Sequence, residues 1–433
     1  MSEDIRSPSD SAGSPESEGT ALGTAGASGR PPVPLRRNAE FIRLWAGAGV
    51  SQFGTRVGMT AFPLLTLYHT GSAVDAGLVG FAASLPNFVV QLPAGALVDR
   101  WDRRRLMLWC DVLGAFSIAA VAVAVFLGQI WLPHLMAAAF LEGARGIVVD
   151  LGERASVRQV VAPGQLPAAL AQNEARGQAM GLLGQPGSGG LLAVAGWLPF
   201  AATALASSVA AVCVALMRKD RGVTARARAQ PLHADIKEGV LWLWRHRVAR
   251  LLVSLFAGCN FAFQILMLTV MVIIQQSGRS PVFVALVTGC GGLGGLAGAL
   301  VAPRLRRRFS LRAVFLAGCV LWVLITPLVA WVRHPAGLAV LLTATTSIVG
   351  VLSVTAWVFQ VQHTPDELQG RVNGTARFLA SGANSLGALC GGYLLDRAGA
   401  APTGLVVCGV LLLVTTVVVS GRRTLAEPPA DHS

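Results

Sequence analysis

Charge is what this sequence has least of. Only 13% of its 433 residues are Asp, Glu, Lys or Arg, against about 25% in a soluble domain. Lysine is almost missing, with Lys219 and Lys237 the only two. No glycine-rich phosphate loop ending in Gly-Lys-Ser/Thr occurs, which excludes ATP hydrolysis as an energy source. No nucleophile stands beside a base and no ligand cluster has metal-site spacing, so neither an enzyme nor a metal or other cofactor is expected. The seven cysteines (Cys110, Cys213, Cys259, Cys290, Cys319, Cys390 and Cys408) lie in or beside apolar runs and read as small buried apolar side chains. The net charge of +13 does not imply nucleic acid, because the arginines sit in short clusters without interleaved aromatics. An apolar leader is also lacking. Residues 1–37 are rich in Ser, Gly, Pro and acids and read as a disordered tail rather than a signal peptide.

What the chain does have is apolar length. Its composition is 53% hydrophobic, and a membrane-spanning helix needs about 20 mostly apolar residues. Twelve segments meet that requirement, near 41–67, 73–98, 105–128, 131–151, 168–194, 197–217, 250–275, 280–303, 311–332, 336–361, 371–395 and 401–420. The expected fold is an all-α membrane protein, with twelve transmembrane helices in two pseudo-symmetric six-helix bundles. Its parts are a cytoplasmic tail (1–37), an N-terminal bundle (38–217), a cytoplasmic linker (218–249), a C-terminal bundle (250–421) and a second tail (422–433). Leu241, Trp242, Leu243 and Trp244 in the linker read either as an interfacial helix with aromatic anchors or as ordinary linker.

The loops alternate in charge. Connections after odd-numbered segments carry at most one arginine each (Arg279, Arg333 and Arg397). Those after even-numbered segments are dense in it: Arg100 to Arg105, Arg154 and Arg158, Arg218 to Arg250, Arg304 to Arg312, and Arg371. Positive charge stays inside, which predicts a multi-pass plasma-membrane protein with both termini cytoplasmic. The halves also repeat. Gly95 and Arg103–Arg105 recur 203 residues later at Gly298 and Arg306–Arg308, and Gly189-Gly190 recurs 202 residues later at Gly391-Gly392. Two parallel repeats with substrate bound between them are a known transporter plan.

Three motifs carry a family resemblance. Gly95, Asp99, Arg100, Arg103, Arg104 and Arg105 between the second and third segments resemble the signature loop of the major facilitator superfamily, with Asp102 where most members have Gly. That replacement is similar to the branch of drug and siderophore exporters that includes macrolide efflux and enterobactin export proteins. So is Thr364-Pro365-Asp366-Glu367-Leu368-Gln369-Gly370-Arg371-Val372-Asn373-Gly374. Pro186-Gly187-Ser188-Gly189-Gly190 resembles the end of the antiporter motif, with Gln185 replacing its usual preceding Gly. The resemblance covers about residues 38–421. It implies proton-coupled efflux of a small organic molecule: a drug, an antibiotic, a siderophore or another secondary metabolite. An importer or facilitator fits the same fold, and a non-transporting membrane sensor is a further alternative.

The residues supply candidates for each step. Asp99 ends the second segment, where a carboxylate can pair with Arg103 or cap a neighbouring helix. The resemblance makes that neighbour the start of the eleventh segment, about Arg371 to Ala376. Asp150 is placed to pair with Arg103 or Arg104, completing a cytoplasmic gate. The second-half copy has Ala302 and Pro303 instead of Asp99 and Arg100, so it keeps the anchor and loses the lock. Glu142 and Arg145 share a helix face and lie within a span, where ionisable groups default to functional candidates. Glu142, beside Arg145, is the leading proton-coupling candidate; Asp111, near the cytoplasmic end of the third segment, and Arg56 in the first are weaker ones. Gly177, Gly181, Gly184, Pro186, Gly189 and Gly190 read as a helix-packing motif. Asn260, Gln264, Trp357 and Gln360 are cavity candidates for an amphiphilic substrate. The expected partners are the substrate, protons and the lipid bilayer, with the protein a monomer.

Overall fold

A computed structural model describes residues 34–217, 247–363 and 366–420. Most of both tails and of the 218–249 linker, including Leu241–Trp244, lies outside the described residues. The chain is α-helical throughout them, apart from short 3-10 turns and connections. The helices are α1 (Ala39–Thr70), α2 (Ala73–Ser84), α3 (Pro86–Val89), α4 (Gln91–Arg100), α5 (Arg103–Phe126), α6 (Leu132–Val160), α7 (Leu166–Val194) and α8 (Leu198–Ala215). After the linker come α9 (Arg247–Gln276), α10 (Pro281–Arg308), α11 (Leu311–Trp331), α12 (Pro335–His363), α13 (Asp366–Ala398) and α14 (Ala400–Ser420).

Every apolar segment read from the sequence is helical, and the second is broken twice. Pro86 opens α3 and Pro93 falls in the first turn of α4. Proline lacks the N–H that would continue the ladder, so each break lies just ahead of a proline. Among the described residues, α5, α8, α9, α10, α12 and α13 are long and apolar enough to cross a membrane, and Ala73–Val89, Ala313–Val329 and Ala400–Thr416 are shorter apolar helices. This is an all-α, multi-pass membrane protein. Its outer surface agrees: Leu113, Phe116, Val123, Leu205, Leu300, Leu324 and Leu412 are exposed, where acyl chains rather than water would cover them. Trp131 and Trp331 mark one edge of this band and Trp101 and Trp109 the other, the positions that interfacial tryptophans favour.

Several helices continue past their apolar segments on the arginine-rich side. α6 runs to Val160 and α10 to Arg308, while the apolar runs stop near 151 and 303. A helix ends where its backbone hydrogen bonds end, not where hydropathy falls, and water tolerates the polar extension.

Helices α1 to α8 pack with one another, as do α9 to α14, and the groups meet through α2 against α13 and α7 against α10. Both meetings are tightest at the low-charge end. A Cβ on Gly77 would lie 2.7 Å from Ala388 O and 2.9 Å from the Cα of Gly392, so the backbones touch there. A Cβ on Gly189 would overlap Ala285. Tyr68 Oη donates to Arg279 O at 2.8 Å across the same end. One buried apolar cluster joins both groups, with Phe62, Leu65 and Ile118 from the first and Leu266, Ile273 and Val287 from the second. The clusters that reach the arginine-rich end, such as that of Leu44, Met107 and Val157, each draw on one group alone.

Gly77→Val should therefore lower the thermal midpoint of the detergent-solubilised protein, since overpacking costs about 1–3 kcal/mol. Gly181→Ala should leave it unchanged, because nothing lies within 4 Å of a Cβ there. Equal midpoints for the two variants would contradict the contact.

Candidate functional site

Between the two groups lies a cavity of about 1180 Å³. α1, α6 and α7 wall one side; α9, α10 and α13 wall the other. Its lining reaches Asp150, Glu153 and Arg154 on α6, Glu174 and Gln178 at the start of α7, and Leu296 and Ala299 on α10. These positions all lead towards the arginine-rich loops. The packed glycines and the shared apolar cluster close the opposite end. Among the described residues, the cavity is thus open at the arginine-rich end and sealed at the other.

Buried against the α1 wall is a charged network. Asp111, Glu142 and Arg145 are 0%, 1% and 4% exposed. Arg145 Nε donates to Glu142 Oε2 at 2.9 Å, and Nη2 donates to Glu142 Oε1 and to Thr55 Oγ1, both at 2.5 Å. Arg145 Nη1 donates to Asp111 Oδ1 at 2.6 Å and to Ser51 Oγ at 2.8 Å. An arginine has five N–H donors, and each has an acceptor. Gly114 makes room for this side chain, because any Cβ there would collide with Arg145 Cδ. The carboxylates are used unequally. Glu142 has both oxygens on the guanidinium, whereas Asp111 Oδ2 is buried with no partner among the described residues. One guanidinium facing two carboxylates leaves a net charge of −1 when both are ionised, and buried net charge is costly. One proton would neutralise the set.

Sequence reasoning missed a second buried pair. Arg176 Nη2 donates to Glu153 Oε1 at 2.6 Å and Oε2 at 2.8 Å, and Nη1 donates to Trp45 O at 2.9 Å. The pair ties α1, α6 and α7 together beside the cavity. Its signal was Arg176, a cation inside the fifth apolar segment. Glu153 lay beyond the expected end of the fourth and passed for a loop residue.

The expected gate is arranged differently. Asp150 Oδ2 pairs with Arg154 Nε at 3.0 Å. Arg104 Nε donates to Val214 O at 3.1 Å and Nη2 to Ala215 O at 2.5 Å. Arg103 Nη1 donates to Ala155 O at 3.4 Å. The Asp150–Arg104 pairing is thereby corrected: α8 ends with unsatisfied carbonyls, and Arg104 caps them within its own half. Asp102 accepts from Arg105 N at 3.1 Å and caps α5, which accounts for an acid in the place of glycine. Asp99 lies near the end of α4, but its side chain is outside the described residues, as are those of Arg371, Trp357 and Gln360. Asn260 and Gln264 do line the cavity, beside Phe263.

The glycine set divides. Gly184 packs on Arg56 of α1, Pro186 lies against Gly289, and Gly189 meets Ala285. Gly177 and Gly181 line the cavity instead, and Gly190 has nothing within 4 Å of a Cβ. The packing role is corrected for these three, because no neighbouring helix comes close enough to need a glycine.

These features stand beside what the chain is similar to. The family model described as Major Facilitator Superfamily matches residues 44–388. The chain belongs to the major facilitator superfamily. Superfamily members of this kind are secondary transporters rather than enzymes, and this chain is one of them. It is 29% identical over 392 residues to the multidrug efflux pump Tap of Mycolicibacterium fortuitum, covering 88% of this chain and 93% of that protein. Two solved structures share its fold. A bacterial homolog of the human lysosomal transporter Spinster, inward-facing and unoccupied, has a TM-score of 0.72 at 12% identity, covering 92% of this chain and 100% of that one. A bacterial homologue of the iron transporter ferroportin, in an inward-facing state, has a TM-score of 0.69 at 16% identity, covering 90% and 99%.

Proposed function

We propose that this superfamily transporter exports a small organic molecule, a drug, antibiotic, siderophore or other secondary metabolite, in exchange for protons. It does so through twelve spans arranged as two six-helix halves, with both termini on the cytoplasmic side. The observation that carries this reading is the cavity's position against a carboxylate-rich buried network, with a protonatable oxygen unpartnered at Asp111. The arginine-rich end is the cytoplasmic end by the positive-inside rule, so the cavity as seen faces inward. The likeness to an efflux pump supports the outward direction.

In this mechanism the cavity takes substrate from the cytoplasm. Rocking of the halves about the α2–α13 and α7–α10 contacts then exposes it outside. A proton entering from outside neutralises the network and favours return. The gate at Asp99 closes the cytoplasmic end in the outward state, so its partners need not be engaged in this one.

The test is expression in an efflux-deficient host and a screen of diverse compounds. Raised tolerance that disappears with a protonophore is expected, and Asp99→Asn should abolish it at an unchanged membrane level. Increased sensitivity would instead mean uptake.

A further inference from the structure

Among the described residues, Arg56 is the lining cation that the network and the gate leave unused. It lies midway along α1 and is exposed to the cavity. The other lining cation, Arg154, pairs with Asp150. Arg145 and Arg176 nearby are buried and engaged. The guanidinium of Arg56 has neither a salt bridge nor a hydrogen bond among the described residues. The acid that comes nearest to being free is Glu174, which accepts from Gln178 at 3.0 Å. Arg56 packs at the level of Gly184, ten residues along α7 from Glu174, so about 15 Å of helix rise separates them.

A cation within a span that faces a water-filled cavity marks a substrate pathway. Among the described residues, the facing wall does not supply Arg56 with a partner. Its described polar residues are Asn260, Gln264, Thr288, Ser381 and Asn384, all neutral. A cationic substrate would meet repulsion here, with no carboxylate described at mid-cavity. An acid would meet a planar fork shaped for two parallel hydrogen bonds, with amides and Phe263 around its body. We propose that Arg56 is the anion-binding point of the central cavity, and that the transported molecule is an organic acid. This deepens the proposed function and rests on the cavity being the substrate site.

Two xanthene dyes test it on the purified full chain in detergent by fluorescence anisotropy: carboxyfluorescein, an anion, and tetramethylrhodamine methyl ester, a cation. Wild type should bind carboxyfluorescein more tightly than the ester. Arg56→Gln should weaken carboxyfluorescein roughly 10- to 100-fold, the worth of a charged hydrogen-bonded contact, and leave the ester unchanged or tighter. Arg56→Lys should retain part of the anion affinity, and it carries the test if Arg56→Gln does not elute as a folded monodisperse protein. Absence of carboxyfluorescein binding to wild type, or equal affinities in wild type and Arg56→Gln, would overturn the proposal. Transport is read separately in proteoliposomes. If wild type moves no compound there while the anion contrast in binding persists, the export reading fails and the anion site stands.

Discussion

Asp111→Asn is expected to abolish proton-driven accumulation in inverted membrane vesicles, reducing it to the level left by a protonophore, without loss of assembled protein. The reason is the unequal use of two carboxylates. Glu142 offers both oxygens to Arg145, so a proton there would displace a charged hydrogen bond, which is worth more than a neutral one. Asp111 offers Oδ1 to Arg145 and keeps Oδ2 unpartnered. A proton on Oδ2 breaks nothing and brings the network to neutrality. Asparagine imitates that protonated state permanently: its carbonyl still accepts from Arg145, but it cannot release a proton. Downhill exchange of substrate should therefore survive while coupling is lost. Glu142→Gln should impair assembly more than coupling. Normal proton-driven uptake by Asp111→Asn would contradict the assignment.

Arg145→Ala is expected to have the largest effect on the folded state. It leaves Glu142 and Asp111 buried without their counter-ion, and breaking a buried ion pair on one side costs about 3–5 kcal/mol. That is a large share of the stability of a domain. Little of the variant should reach a monodisperse peak on size-exclusion chromatography. Removing both carboxylates as well, through Asp111→Asn and Glu142→Gln, should restore much of the loss, because no charge is then stranded. A variant that fails equally with and without the compensating changes would show that Arg145 acts through packing alone.

Much of this was legible in the sequence because membranes impose simple arithmetic. Apolar length set the helices, and arginine alternation set their two ends. The Glu142–Arg145 pair was visible because three residues bring two side chains to one helix face. Asp111 also reads from the sequence as a buried charge, but its place beside Arg145 does not, because it reaches Arg145 from another helix and no spacing records that meeting. The Glu153–Arg176 pair was hidden for the same reason, whereas Arg56 reads from the sequence as a weaker buried charge and only the structure places it in the cavity lining. The helix ends were misjudged where polar turns continue α6 and α10 beyond the apolar band. The glycines were the hardest to sort. Gly181 and Gly184 look alike in sequence, yet one borders open space and the other receives a neighbouring helix.

In the proposed exchange, the buried carboxylate of Asp111 takes up the coupling proton. That step can be tested without knowing the substrate, by infrared difference spectroscopy of the reconstituted protein between alkaline and acidic buffer. A protonated-carboxyl carbonyl band should appear on acidification in wild type, persist in Glu142→Gln and be missing in Asp111→Asn. A band that persists in Asp111→Asn and vanishes in Glu142→Gln would contradict that step.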